Sequence, residues 1–365
     1  GRGVDAALIL YAGDDEELHT QIGAQRRQLA DLGHKILQEV RLRELPEKDK
    51  LTGELKIHEP FGFRDGISQP IMRGSKHWSK PENAMHMIEP GELVLGYRDN
   101  LGNLSPSPCC KGEDIGRNGT FLVIRQLEQD RAEFDKCIAR EAERLEKDPR
   151  VSGFTGDELK HWVGARMVGR WRDGSSLVRY PHPPKEEVKE AKEPKANATA
   201  PAPAEEEKKN ATARPVDNDF HFGREDPDGL RCPLGAHIRR ANPRDSFEPD
   251  SPLQLAISNR HRILRVGRIY KPGNGEKPGL LFMCINADLE RQFEFLQQTW
   301  LLGPNFHGLD DEIDPIVGFR GEGETMTVPT PLGPVRLQAL SKFVKVLGGG
   351  YFFIPGRSAT SFLVG

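Results

Sequence analysis

The amino-acid sequence predicts an α+β protein in two similar halves joined near residue 216. Three observations lead there. The chain opens strand–helix–strand, a strand followed by helices recurs from Thr120, and an apolar strand followed by a helix recurs from Gly279. Long excursions separate these units, as α+β folds allow.

Val4 to Ala12 (VDAALILYA) is a short apolar run that reads as a buried strand. Asp14 to Glu17 suit a helix start, where negative charge meets the positive end of the helix dipole. Leu18, Ile22, Leu29 and Leu32 follow on one helical face, Gly33 marks the end, and Lys35 to Leu42 reads as a second strand. From Lys56 to about Pro108 the chain is rich in Gly, Pro, Asn and Ser and lacks periodicity. A loop region of that length in a compact chain is usually functional. Thr120 to Leu127 reads as a strand, Gln126 to Lys147 as a helix with Leu127, Phe134, Ile138 and Leu145 on one face, and Asp157 to Trp171 as another helix. Gly279 to Ala287 (GLLFMCINA) is a strongly apolar strand. Asp288 is placed to cap the next helix, where Leu289, Phe293, Leu296 and Trp300 keep helical spacing. Leu347 to Val364 reads as a glycine-rich turn leading into a closing apolar strand.

Pro183 to Pro215 differs in kind. It holds Ala, Glu, Lys and Pro and almost no large apolar side chain. Such a tract buries too little surface to offset its ordering entropy, so it reads as a disordered insertion that is protease-sensitive and dispensable. Two N-x-T sequons, at Asn197 and Asn210, fall inside it.

The 365 residues are 36% apolar with 38 glycines, enough for a sizeable core, and the formal net charge is −3. No basic field points to nucleic acid or an anionic membrane surface, and no apolar run of about 18 residues reads as a membrane span. The five cysteines are scattered and odd in number, which is neither a disulfide framework nor a zinc-type CxxC pattern. With no CxxCH, any haem would be held without thioether bonds. Sparse cysteines lean toward a cytoplasmic protein, while a secretion signal would lie outside this chain. HExxH, Walker A and GxSxG motifs are absent, which leaves metalloprotease, NTPase and α/β-hydrolase readings without support.

Four segments carry chemistry. In FGFRDGISQP (Phe61 to Pro70), Gly62 and Gly66 bracket Asp65. Alone, this is also what an ordinary Asp-Gly turn looks like. In DPDGLRCPLGAHIRRANPR, the small Gly235 and Ala236 leave room beside His237, though a lone histidine is more often a satisfied core residue than a ligand. RHRILRVGRIY (Arg260 to Tyr270) is dense in cations and also fits a solvated strand edge. Leu280 and Phe282 stand two apart on one face of a strand, as ordinary core residues do.

Taken together and in order, these segments resemble the dye-decolorizing peroxidases. FGFRDGISQP carries that family's GxxDG motif, GLRCPLGAHIRRANPR is similar to its proximal-histidine segment, and ILRVG to the segment with its distal arginine. NDFHF (Asn218 to Phe222), MVGRW (Met167 to Trp171) and GGGYFFIP (Gly348 to Pro355) also look like family segments. The resemblance runs from about Val4 to Leu363 apart from the charged insertion, and is closest to the larger members.

The resemblance implies two ferredoxin-like halves. These are residues 1–182, incomplete at its start, and residues 216–365, which hold non-covalent haem b, with the insertion 183–215 between them. It implies His237 as the iron ligand, Asp314 as the carboxylate accepting its N–H, and Asp65 and Arg265 as the catalytic pair on the opposite face. Gly62, Gly66, Ile67, Ser68 and Gln69 would line the cofactor from the GxxDG loop, and Leu280 and Phe282 would narrow the pocket. The partners implied are hydrogen peroxide and a small reducing substrate such as a dye or phenol. An aspartate can move the peroxide proton, and an arginine, never deprotonated, offers fixed donors to the departing oxygen. Bulky reductants would deliver electrons through surface Tyr or Trp, with Trp78, Trp162, Trp171, Trp300, Tyr180 and Tyr270 as candidates. A haem carrier, sensor or iron-release protein would share the ligand and pocket, and a structural relative without cofactor would share the fold. Relatives carry further chain before the opening strand. A segment preceding this chain, or a second copy of it in a homo-oligomer, is therefore expected to pair with Val4 to Ala12.

Overall fold

The computed structural model describes residues 3–42, 57–76, 78, 81–151, 153–184, 217–270, 279–321 and 323–364. The insertion reading from residue 185 onward lies outside these.

Helix α1 spans Asp15–Asp31, and the Asp14 carboxylate caps it by accepting the Glu17 N–H at 2.8 Å. None of its residues is buried. The two flanking strands expected from the sequence do not form. Val4 to Ala12 carries no β-pairing among the described residues, and Val4, Leu8 and Tyr11 are exposed. Of Lys35 to Leu42, only Leu42 bridges to the sheet, at Tyr270. Apolar character gives a segment a reason to be buried, but a strand also needs a ladder partner, and among the described residues Val4 to Ala12 has none.

Strand β1, Thr120–Gln129, runs two residues beyond Leu127. Leu127 is therefore a strand residue rather than part of the following helix. Asp130 then accepts the Glu133 N–H and opens α2, Arg131–Leu145, which buries Phe134, Cys137, Ile138 and Leu145. Helix α3, Gly156–Val168, stops short of Trp171 because Gly169 adopts φ 104°, a left-handed C-terminal cap. A five-residue helix α4, His237–Ala241, follows the excursion. Then come β2, Leu264–Tyr270; β3, Gly279–Asn286; the hairpin β4, Glu324–Val328, with β5, Val335–Leu340; β6, Val344–Ile354; and α5, Arg357–Val364. Asp288 caps the segment after β3 by accepting the Arg291 N–H at 3.0 Å, and the turns that follow are π-helical. The glycines at 348–350 lie inside β6 rather than in a turn, and the end of the chain is a helix. The ladder with β1 shifts register between Val346 and Gly348 and then runs unbroken from Gly348 to Ile354, so pairing holds the glycines in the strand.

The main sheet is antiparallel in the order β6–β1–β3–β2, so β1 lies between two strands encoded far downstream of it. Register sets Arg265 opposite Cys284, Gly267 opposite Phe282, and Phe282 opposite Arg125. These side chains therefore share one face. One core cluster joins Phe61, Phe63, Phe134, Trp162, Trp171 and Phe343 to the β4–β5 hairpin. A second joins Val123, Cys284, Phe293, Leu296 and Trp300 on the face that carries Arg265. The buried Glu141 ties α2 to the hairpin by pairing with Arg144 at 2.8 Å and accepting the Gln338 N–H at 3.0 Å. No described helix is long and apolar enough to cross a membrane.

Candidate active site

The loop from Glu59 to Pro70 is shaped by its own polar groups. Glu59 accepts the N–H groups of Phe61 and Phe63, both at 2.9 Å, and thereby folds the chain back before Asp65. Gly66 has φ 82°, a conformation that a side chain disfavours, and its N–H donates to the Asp65 carboxylate at 2.6 Å. Ser68 takes the same left-handed region without being glycine, at φ 64°. It is held there by Asn242, which donates to its hydroxyl at 3.1 Å, and by Arg262, which donates to its carbonyl at 2.7 Å.

The turn delivers Asp65 to Arg265 on β2. The guanidinium donates to Asp65 Oδ1 at 2.7 Å and to the Ile67 carbonyl at 3.3 Å. Burial alone would raise the Asp65 pKa, but the Arg265 charge and the Gly66 N–H outweigh it and hold the carboxyl below its ordinary value. Leu280 and Phe282 are half-buried on the same sheet face.

On α4, His237 Nδ1–H donates to Asp314 Oδ2 at 2.9 Å. Asp314 is fully buried, and its other oxygen accepts the N–H groups of Ile316 and Val317 at 2.9 and 2.8 Å. Burial disfavours a charged imidazole, yet the adjacent carboxylate prevails and raises the His237 pKa. Burial likewise pushes Asp314 upward, and the imidazole and the two N–H donors bring it below the usual range. With Nδ1 engaged, Nε2 is the remaining basic atom. The ring is 30% exposed while its carboxylate partner is 0% exposed, so the imidazole opens toward a gap rather than into the core. His237 acts on the ionisation of Asp65, and Arg265 on that of His237, so that gap lies within electrostatic reach of the Asp65–Arg265 pair.

Not every expected residue faces it. Gly62 sits against Arg172, with a built Cβ 2.6 Å from its Nη1, so it serves the turn. Gln69 is engaged with the Arg265 main chain. Of the aromatic candidates, Trp78 is exposed, while Trp162, Trp171, Trp300 and Tyr270 are buried and Tyr180 is half-buried. Trp300 nonetheless lines a surface pocket of about 360 Å³ with Phe247 and His307.

Sequence reasoning missed two contributors. Arg262 is buried, donates to Ser68, and has no ion-pair partner among the described residues. Gly267 lies under the pair, where a Cβ would come within 2.7 Å of Asp65 Oδ2 and 3.0 Å of Leu280. The only signal was the glycine of ILRVG, two residues after Arg265. Gly267→Ala is expected to push Asp65 off Arg265 and, if the chain turns over peroxide as the resemblance implies, to slow that reaction by about 10²-fold, the cost of a displacement near 1 Å. Its melting temperature should fall only slightly, and an unaltered rate in a folded Gly267→Ala protein would refute this role.

On this α+β fold the site combines an imidazole braced by a buried carboxylate with an Asp–Arg pair within its electrostatic reach. No family model matches the chain. It is 29% identical over 331 residues to the dye-decolorizing peroxidase msp1 of Mycetinis scorodonius, covering 84% of this chain and 57% of that protein. It is 28% identical to the multifunctional dye peroxidase DyP2 of an Amycolatopsis species, covering 81% of this chain and 59% of that one. A decolorizing peroxidase structure from Auricularia auricula-judae superposes with a TM-score of 0.67 at 26% identity, covering 95% of this chain and 72% of that chain. In sequence and fold this chain is similar to the dye-decolorizing peroxidases over most of its length, and it shares their ferredoxin-like α+β fold. It spans under two thirds of the length of these two curated relatives.

Proposed function

We infer that this chain is a haem peroxidase that consumes hydrogen peroxide and oxidises dyes, phenols or other small reductants in one-electron steps. The observation that carries this reading is a carboxylate-braced imidazole, His237 on Asp314, within electrostatic reach of the Asp65–Arg265 pair. The side chains fit the cofactor. His237 presents Nε2 to a metal, Asp314 strengthens that nitrogen as a donor, Leu280 and Phe282 offer apolar wall, and the unpaired buried Arg262 suits a carboxylate on the cofactor's rim. Bound haem would supply the iron chemistry and store the oxidising equivalents.

Asp65 would accept the proton from one peroxide oxygen and return it to the other, which leaves as water. Arg265 would steady the charge developing on that oxygen. Leu280 and Phe282 would limit the pocket to small oxidants, so bulky reductants would give up electrons at surface aromatic residues instead. In this reading residues 1–182 and 216–365 are the two halves, with 183–215 between them. A carrier has no use for an acid–base group beside a fixed cation, and that favours catalysis. The test is haem loading followed by peroxide turnover with a small phenol. A Soret band with turnover is expected, and a loaded protein that leaves peroxide untouched would overturn the peroxidase reading.

The low pKa of Asp65 has a consequence for pH. A carboxyl held below the ordinary value of about 3.9 stays ionised at pH 5, where an unperturbed histidine base is mostly protonated. The peroxide-step rate should therefore persist through pH 5 and decline only as Asp65 takes up a proton below pH 4. Stopped-flow rates that fall tenfold between pH 7 and pH 5 would exclude Asp65 as the base.

A further inference from the structure

Strand β2 is paired with β3 on one side only, and its other edge carries a single bridge, Leu42 to Tyr270, among the described residues. Main-chain groups along such an edge ordinarily face water or another strand. At Arg265 they do neither. Its N–H donates to Gln69 Oε1 at 3.2 Å, and its carbonyl accepts from Gln69 Nε2 at 2.7 Å.

A primary amide presents an acceptor and a donor side by side, the same pair that a residue of a neighbouring strand would offer. Gln69 thus stands in for a missing strand at the one position that bears the guanidinium facing Asp65. The rest of the loop follows the same register. Asp65 and Ile67 take the Arg265 guanidinium, and the Ser68 carbonyl takes Arg262. On the edge away from β3, Gln69 is the described residue that holds the Arg265 backbone, and backbone position decides where the guanidinium begins.

We propose that Gln69 is a positioning residue for Arg265, locking its main chain to the loop that carries Asp65 and so setting the geometry of the pair. The role rests on the peroxidase reading for its consequence, but the clamp itself does not. Glutamate at this position keeps the acceptor and loses the donor, setting a carboxylate oxygen against the Arg265 carbonyl. Leucine keeps the bulk and loses both bonds.

Two measurements test it. The first needs no turnover. The Arg265 amide, followed by NMR hydrogen exchange, should exchange about tenfold faster in Gln69→Leu, while amides of β2 bonded to β3 keep their protection. Unchanged exchange at Arg265 would show that no clamp exists. The second is a double-mutant cycle on the haem-loaded protein, read as the second-order rate with peroxide. Gln69→Leu should slow that rate about 10- to 100-fold when Arg265 is present and leave it unaltered in Arg265→Leu. kcat/KM for the reductant should not move, and Gln69→Glu should lie between wild type and leucine in both measurements, which serves if Gln69→Leu does not fold. Equal slowing in both backgrounds, or equal loss on the reductant step, would make Gln69 a general structural residue and overturn the proposal. Wild-type peroxide rates in Arg265→Leu alone would instead defeat the catalytic reading of Arg265, while the exchange measurement still decides the clamp.

Discussion

His237→Ala is expected to abolish the Soret spectrum of the native protein or to reduce haem retention severely. The imidazole combines a part-exposed ring with a buried carboxylate on Nδ1, which leaves Nε2 for a ligand. Its removal also strands Asp314, which is fully buried and would keep only the Ile316 and Val317 N–H groups as partners. A buried charge that loses its partner typically costs about 3–5 kcal/mol, so the variant should also melt earlier. Absorbance titration with haem and a thermal scan check both effects. Wild-type spectrum and haem content would remove His237 from the ligand position.

Arg265→Leu should keep its haem and lose its peroxide reaction. Removing one preorganised donor of this sort costs about 10²–10³ in rate, and here the loss also frees Asp65. Without the guanidinium, the largest influence that lowers the Asp65 pKa is gone and burial moves it upward. The acid limb of the residual activity should therefore lie at higher pH than that of the wild type. Stopped-flow mixing with peroxide across pH 5 to 8 measures both features. A variant as fast as wild type, with the same profile, would refute the assignment.

What the sequence made legible depended on the kind of information each feature needs. Helices α1 and α3 and strand β3 announce themselves through period, caps and apolar runs, all local properties. The four site segments were readable as a set because their order and wording are specific, and the fold brings Asp65 to Arg265 and His237 to Asp314. Val4 to Ala12 misled because its composition says nothing of a ladder partner. The glycines of β6 misled because a residue poor in strand propensity is carried by ten paired positions with β1. The work of Gln69 and Gly267 was invisible because it arises where a loop meets a strand nearly two hundred residues away along the chain.

The position of β1 in the sheet bears on how the molecule is made. That strand is bordered by β3 and by β6, both encoded far downstream, and it meets its neighbours only through long-range closure. While the chain emerges from a ribosome, one edge of β1 waits for Gly279–Asn286 and the other for Val344–Ile354. High contact order of this kind slows folding and lengthens exposure of sticky edges. Chaperone dependence during synthesis should therefore exceed that of a protein whose sheet closes between strands adjacent in sequence.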